Sequence, residues 1–227
     1  MSKKAWIVFS VIVVVLLGGL VYLSSKDKVD VSNVNEKSIL GASEKNGNIA
    51  DHVFGNKASK VILIEYGDFQ CPGCGGAHPQ IKAITEEYKD KIAFVFRNFP
   101  LTNIHPNAKA AAAAVEAAGF QGKYWQMHNI VFENQNDWKD ATTDERDARF
   151  TSYAVAVGAN KDRFVTDLTN ANISKKISFD QALGKKVDVT GTPTFFLNGS
   201  KLDETVTNNI IQSDGSQLKK LLDEALK

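Results

Sequence analysis

The chain has 227 residues, with 27 basic against 26 acidic side chains, a net charge of +1 at neutral pH, and 43% apolar residues. That charge is spread, with no basic stripe and no interleaving of aromatic and basic residues, so the sequence gives no argument for a nucleic-acid partner. The apolar content suffices for a real core in one large domain or one and a half small ones.

In chain order, the first feature is "MSKK" followed by 19 residues without a charge, "AWIVFSVIVVVLLGGLVYL". At about 1.5 Å per residue this run spans roughly 28 Å as a helix, one bilayer core. The exit, "VYLSSKDK", puts Tyr22 and Leu23 where a cleavage site needs small side chains, so residues 1–23 read as an uncleaved anchor with a cytoplasmic stub. Lys3 and Lys4 ahead of the span place the N-terminus inside and the remainder outside the cell membrane. Residues 24–49 are polar and nearly free of aromatic residues, which predicts a flexible tether reaching roughly 25–30 Å.

The run "KVILIEYGDF" is apolar on both faces and predicts a buried central strand. It leads into "QCPGCGGAHPQ", which holds the only two cysteines, Cys71 and Cys74. Ile81, Ile84 and Tyr88 follow at helical spacing and Pro72 suits a first helical position, so Cys71 falls near a helix N-cap, with Pro79 inside the helix. Unpaired N–H groups and the positive end of the helix dipole at that place favour a thiolate. Two cysteines three apart in a first helical turn also lie within the Cα separation that a disulfide accepts.

C-x-x-C equally suits a zinc clip, but zinc needs two further ligands, and the chain offers only His52, His78, His105 and His128, without a second C-x-x-C or paired histidines. His78 reads as a helix-surface residue and His105, before Pro106, as part of a helix start. Asp68, near the loop, reads as solvated. Further on, "KIAFVFRNF" alternates like a strand, residues 105–178 carry helical stretches with few strand signals, and Trp125, Met127 and Phe132 read as core. "VTGTPTFFLNGSKL" predicts a loop, Pro193, a strand, an Asn198-Gly199 turn and a return strand, and "QLKKLLDEALK" a closing amphipathic helix.

From about residue 50 onward the chain resembles the DsbA-like thiol-disulfide oxidoreductases of bacterial cell envelopes, through C-P-G-C, "FRNFPL", "HPNAKAAAAAVEAAG", "YWQMHNIVF" and "GTPTFFLNG". The resemblance implies an α/β thioredoxin fold split by a helical insert: residues 50–102 as its first part, 103–178 as the insert and 179–227 as its second part. It further implies that Thr192 and Pro193 form a cis-proline loop facing Cys71 and Cys74, and that Glu65, six residues before Cys71, is a buried acid exchanging a proton with Cys74. The implied activity is disulfide introduction into unfolded or partly folded exported proteins by a monomer that needs no organic cofactor and no metal. A DsbB-like or vitamin K epoxide reductase-like membrane protein would reoxidise it. Where that family often carries Pro-His between the cysteines, this chain has Pro72-Gly73, which weakens the expectation of strong oxidising power. A tethered reductase or isomerase, or a binding module with a structural or metal-holding C-x-x-C, are the alternatives. The polar 24–49 segment is too short for the dimerising domain of such isomerases, and a staple across two residues would add little stability.

Overall fold

A computed structural model describes residues 3–26 and 29–227. Helix α1 (Lys3–Lys26) forms one unit and residues 31–227 another. Apolar side chains of α1 such as Trp6, Phe9, Val14 and Leu17 are exposed. The anchor expected at residues 5–23 falls partly on side chains outside the described set, and among the described residues no helix is long and apolar enough to cross a membrane.

The second unit is built on a five-stranded sheet of order β1-β3-β2-β4-β5, with β1 at Val53–Gly55, β2 at Ile62–Gly67, β3 at Ala93–Asn98, β4 at Thr194–Leu197 and β5 at Ser200–Lys201. Only β2 and β3 are parallel, joined by helix α2 (Pro72–Glu87), while β1, β4 and β5 pair antiparallel to their neighbours. The continuous apolar runs of β2 and β3 are explained by this position, since helices cover both faces of the sheet's centre. On one face Val61, Leu63 and Phe195 pack with Ile81 and Ile84 of α2 and with Ile210 and Leu222 of the last two helices, α9 (Glu204–Ile211) and α10 (Ser216–Ala225). The β4–β5 turn has φ 51° at Asn198 and 80° at Gly199, the left-handed pair that a two-residue hairpin demands.

Between β3 and β4 stand six helices: α3 (Ala108–Gly119), α4 (Tyr124–Glu133), α5 (Gln135–Trp138), α6 (Thr143–Ala156), α7 (Lys161–Asp167) and α8 (Ala171–Lys186). Their core, with Trp138, Phe150, Phe164, Met127 and Phe132, is continuous with Phe69, Phe96 and both cysteines. The expected boundary between insert and second half at 178/179 is corrected: α8 runs through it to Lys186, because Lys176 and Asp180 one turn apart are both anchored in a buried ion cluster.

The tether expected over 24–49 is also corrected from Val31 onward. Val31 and Ile49 are buried, the Arg97 guanidinium donates to the carbonyls of Glu36 and Ser38, and Lys186 donates to the Val34 carbonyl and the Glu36 carboxylate. A polar segment that cannot order itself by burying apolar surface is ordered here by supplying carbonyl acceptors to a fully buried cation. That cation belongs to a cluster in which Arg97 and Lys176 both pair with Asp51, Lys176 pairs with Asp180, and His52 with Glu116.

Candidate functional site

The two cysteines sit where β2 ends and α2 begins. Cys71 is the N-cap of α2, Pro72 occupies N1, and the first helical bond runs from Gly75 N–H to the Cys71 carbonyl. The sulfurs occupy different environments. Cys71 is 8% exposed, its Sγ 3.2 Å from the Thr192 carbonyl to which its thiol donates, whereas Cys74 is 1% exposed and its Sγ accepts the Asp68 N–H at 3.4 Å. A hydrogen bond from Cys74, supplemented by the Thr192 side chain and the N–H groups of Gly73 and Cys74, holds the Cys71 thiol down to about 5. Burial pushes Cys74 well up, and the charges of Cys71 and Glu65 act in the same direction.

The Thr192–Pro193 peptide is cis, and the loop abuts the first turn of α2: a Cβ on Gly73 would stand 3.3 Å from Pro193 Cδ and 3.7 Å from Cys71 Sγ. Glu65 lies on β2 opposite Phe195 and Phe96, 4% exposed, and burial first, then the charge of Cys71, pushes its carboxyl up to about 8. It therefore holds a proton at neutral pH. Gly67 permits this arrangement, since a Cβ there would come within 2.3 Å of the Phe96 ring and 3.1 Å of Glu65 Oε1.

The helical insert holds the cysteine loop through three buried amides that sequence reasoning did not single out. Gln135 donates to the carbonyls of Phe69 and Cys71, Gln70 donates to Lys139 O and accepts from Asn107 N–H, and Asn107 donates to the carbonyls of Lys139 and Ala141. Gly75 lets α5 come close, because its Cβ would meet the Gln135 amide at 2.6 Å.

Three sequence expectations change. Asp68, expected in solvent, has a fully buried side chain that accepts from the N–H groups of Gln70 and Leu101. His105, expected only to start a helix, places Nδ1 2.7 Å from Asp68 Oδ2. His78, expected on a helix surface, is 6% exposed, stacks on Phe132, and burial lowers it to about 4. Partners many residues away decide: Leu101 N–H and the His105 imidazole for Asp68, the Asp68 carboxylate for His105, and the Phe132 ring for His78. Among the described residues no group of three or more His, Cys, Asp or Glu side chains could hold a metal ion.

Comparison with known proteins gives a match of residues 47–214 to the family model described as Thioredoxin. Among solved structures, BdbD from Bacillus subtilis superposes with a TM-score of 0.65 at 20% identity, covering 85% of this chain and 99% of that one. A thioredoxin-like oxidoreductase from Silicibacter pomeroyi gives 0.62 at 23% identity, covering 77% and 91%. Among curated proteins, the Na(+)/H(+) antiporter NhaA 1 of Salinispora arenicola is 38% identical over 151 residues, 66% of this chain but 22% of that protein. The chain thus spans under a quarter of the length of that relative.

Proposed function

Because the chain belongs to the thioredoxin family and shares the fold of BdbD, we propose that it is a thiol-disulfide oxidoreductase that introduces disulfides into exported proteins from the outer face of the cell membrane. The observation that carries this reading is the asymmetry of the cysteine pair beneath the Thr192–Pro193 loop: Cys71 at the helix N-cap, 8% exposed and 3.2 Å from the Thr192 carbonyl, with its thiol held down to about 5, and Cys74, 1% exposed, with its thiol pushed well up by burial. A low value at Cys71 stabilises the reduced protein and so makes the disulfide a better oxidant.

In the oxidising direction, a substrate thiolate attacks Cys71 Sγ of the Cys71–Cys74 disulfide, and Cys74 leaves with the electron pair. The departing sulfur needs a proton, which the protonated Glu65 carboxyl supplies. A second substrate thiolate then attacks the substrate sulfur of the mixed disulfide, and Cys71 departs as a thiolate. The substrate gains a disulfide and the protein holds two thiols, ready for reoxidation by a membrane protein of DsbB-like or vitamin K epoxide reductase-like type. Residues 5–23 act as a single N-in anchor, supported by their charge-free composition and the lysines before them, and the folded unit works as a monomer.

Equilibration with glutathione tests the direction. The expected potential lies near the middle of the interval between thioredoxin, about −270 mV, and DsbA, about −120 mV, and a value below that of thioredoxin would overturn the oxidase reading. Protease added to intact spheroplasts should remove the folded unit; protection would overturn the topology.

A further inference from the structure

Beside the cysteines stands an acid–base pair that the exchange described above leaves idle. The Asp68 carboxylate, three residues before Cys71, accepts from Gln70 N–H at 2.8 Å, Leu101 N–H at 2.8 Å and His105 Nδ1 at 2.7 Å. With its Nδ1–H committed to a carboxylate, the imidazole keeps its lone pair on Nε2. The same aspartate grips both cysteines through its backbone: its N–H donates to Cys74 Sγ and its carbonyl accepts from Cys71 N–H at 3.1 Å. The His105 side chain is 15% exposed and, with Gln70, Pro72, Ile104 and Lys139, lines a groove of about 620 Å³ that opens beside the N-terminus of α2. Ile104, 69% exposed on that groove, offers an apolar contact to an incoming chain.

Thiol exchange needs a thiolate on the attacking side, and a free cysteine with a pKa of about 8.5 is only a few per cent ionised at neutral pH. Cys71 has its own stabilising groups, but they do nothing for the incoming thiol. A buried carboxylate hydrogen-bonded to one nitrogen of an imidazole that lines a groove is an arrangement suited to accepting a proton and holding the resulting imidazolium by ion pairing.

We propose that His105, oriented by Asp68, is the general base for the substrate thiol, an inference that rests on Cys71 and Cys74 being the exchanging pair. As the substrate sulfur bonds to Cys71 Sγ, its proton passes to His105 Nε2. The Cys71–Cys74 bond breaks, and Cys74 takes the electron pair and the Glu65 proton. In the reverse direction the imidazolium protonates the departing substrate sulfur, so the role does not depend on the direction of net electron flow. Besides His105, the charged groups lining the groove are Lys139 and Asp140 between α5 and α6; Asp68 is buried behind His105, Cys71 lies between the lining residues Gln70 and Pro72, and Arg146 of α6 is occupied by Asn107 and Asp147.

The test is the reduction rate of the oxidised full-length protein by small thiols of graded pKa, from pH 6 to 9.5, for the wild type and His105→Gln. A thiol attacking without a base loses rate tenfold per pH unit below its own pKa. The wild type should fall less steeply, and His105→Gln should restore the full slope, with a loss of about 100-fold at pH 7 for a thiol of pKa near 9. The loss should shrink as thiol pKa falls, with the equilibrium potential unchanged. Because that trend is read within one variant, partial misfolding does not obscure it. Imidazole added to His105→Ala should recover rate in proportion to its concentration. A rate ratio constant across pH and thiols, or a potential that moves with the rate, would make His105 merely structural and overturn the proposal. Exchange surviving in Cys71→Ser would instead overturn the underlying assignment of the cysteine pair.

Discussion

In two of the groups of buried ionisable residues among those described, burial has opposite consequences. Behind α2, Glu65 is enclosed by strands with only the sulfurs for electrostatic company, and its carboxyl is pushed up to about 8. Around β3 and α8, Asp51 is as deeply buried but pairs with both Arg97 and Lys176, and these cations hold it down to about 2 against the cost of burial. The first group is poised to trade a proton near neutral pH. In the second, Asp51 is held as a carboxylate by its two cations, fastening α8 and the 31–51 segment to the sheet. A buried acid without a cation is a reagent; a buried acid with two is a rivet.

The largest effect that separates the groups is chemical. Cys71→Ser should abolish exchange, and Cys74→Ser should accumulate a mixed disulfide with substrate, visible on non-reducing gels, while neither removes the ion cluster's contribution to folding. Next in size, Lys176→Met leaves Asp51 and Asp180 underpaired and should cost about 3–5 kcal/mol in urea unfolding. Its exchange rate per folded molecule should stay near that of the wild type, and a selective loss of rate would show that the cluster takes part in the chemistry.

Glu65→Gln should give a smaller, pH-dependent difference. The folded value of Glu65 lies above the unfolded one, so the folded state keeps a proton that the unfolded state releases between about pH 4.5 and 8. Its contribution to stability therefore falls as pH rises through that window, by at most about 1.4 kcal/mol per unit. The reduced variant should gain on the reduced wild type across this range in denaturant titrations; Cys71, whose lowered value acts in the opposite sense, is common to both. Parallel pH profiles would place Glu65 with the locked acids. Smallest is Gly73→His, at a position with 3.3 Å to Pro193 Cδ, which should raise the potential by about 30 mV, equivalent to about 1.4 kcal/mol. No rise would mean that the helix N-terminus already saturates stabilisation of the thiolate.

Much of the site is written in short stretches of chain. β2, Cys71 at the N-cap, Pro72 at N1 and the Thr192–Pro193 loop before β4 each follow from neighbouring residues, because strand period, helix start and proline constraints act over a few positions. Fold class was legible for the same reason, through helical and strand signals in the right order. Local pattern did not reveal what fills the space behind the cysteines: Gln135 on the Cys71 carbonyl, Asn107 on Gln70, and His105 on Asp68 join residues 37 to 64 positions apart. Composition also misjudged residues 31–49, for it weighs apolar burial and is blind to a guanidinium that arrives from β3 in need of carbonyls. The sequence by itself determined where the reactive sulfurs lie on their helix, since that depends on adjacent backbone groups. Which acids are buried alone and which are buried with cations was decided by the tertiary structure, because desolvation and ion pairing depend on every element that closes around a side chain.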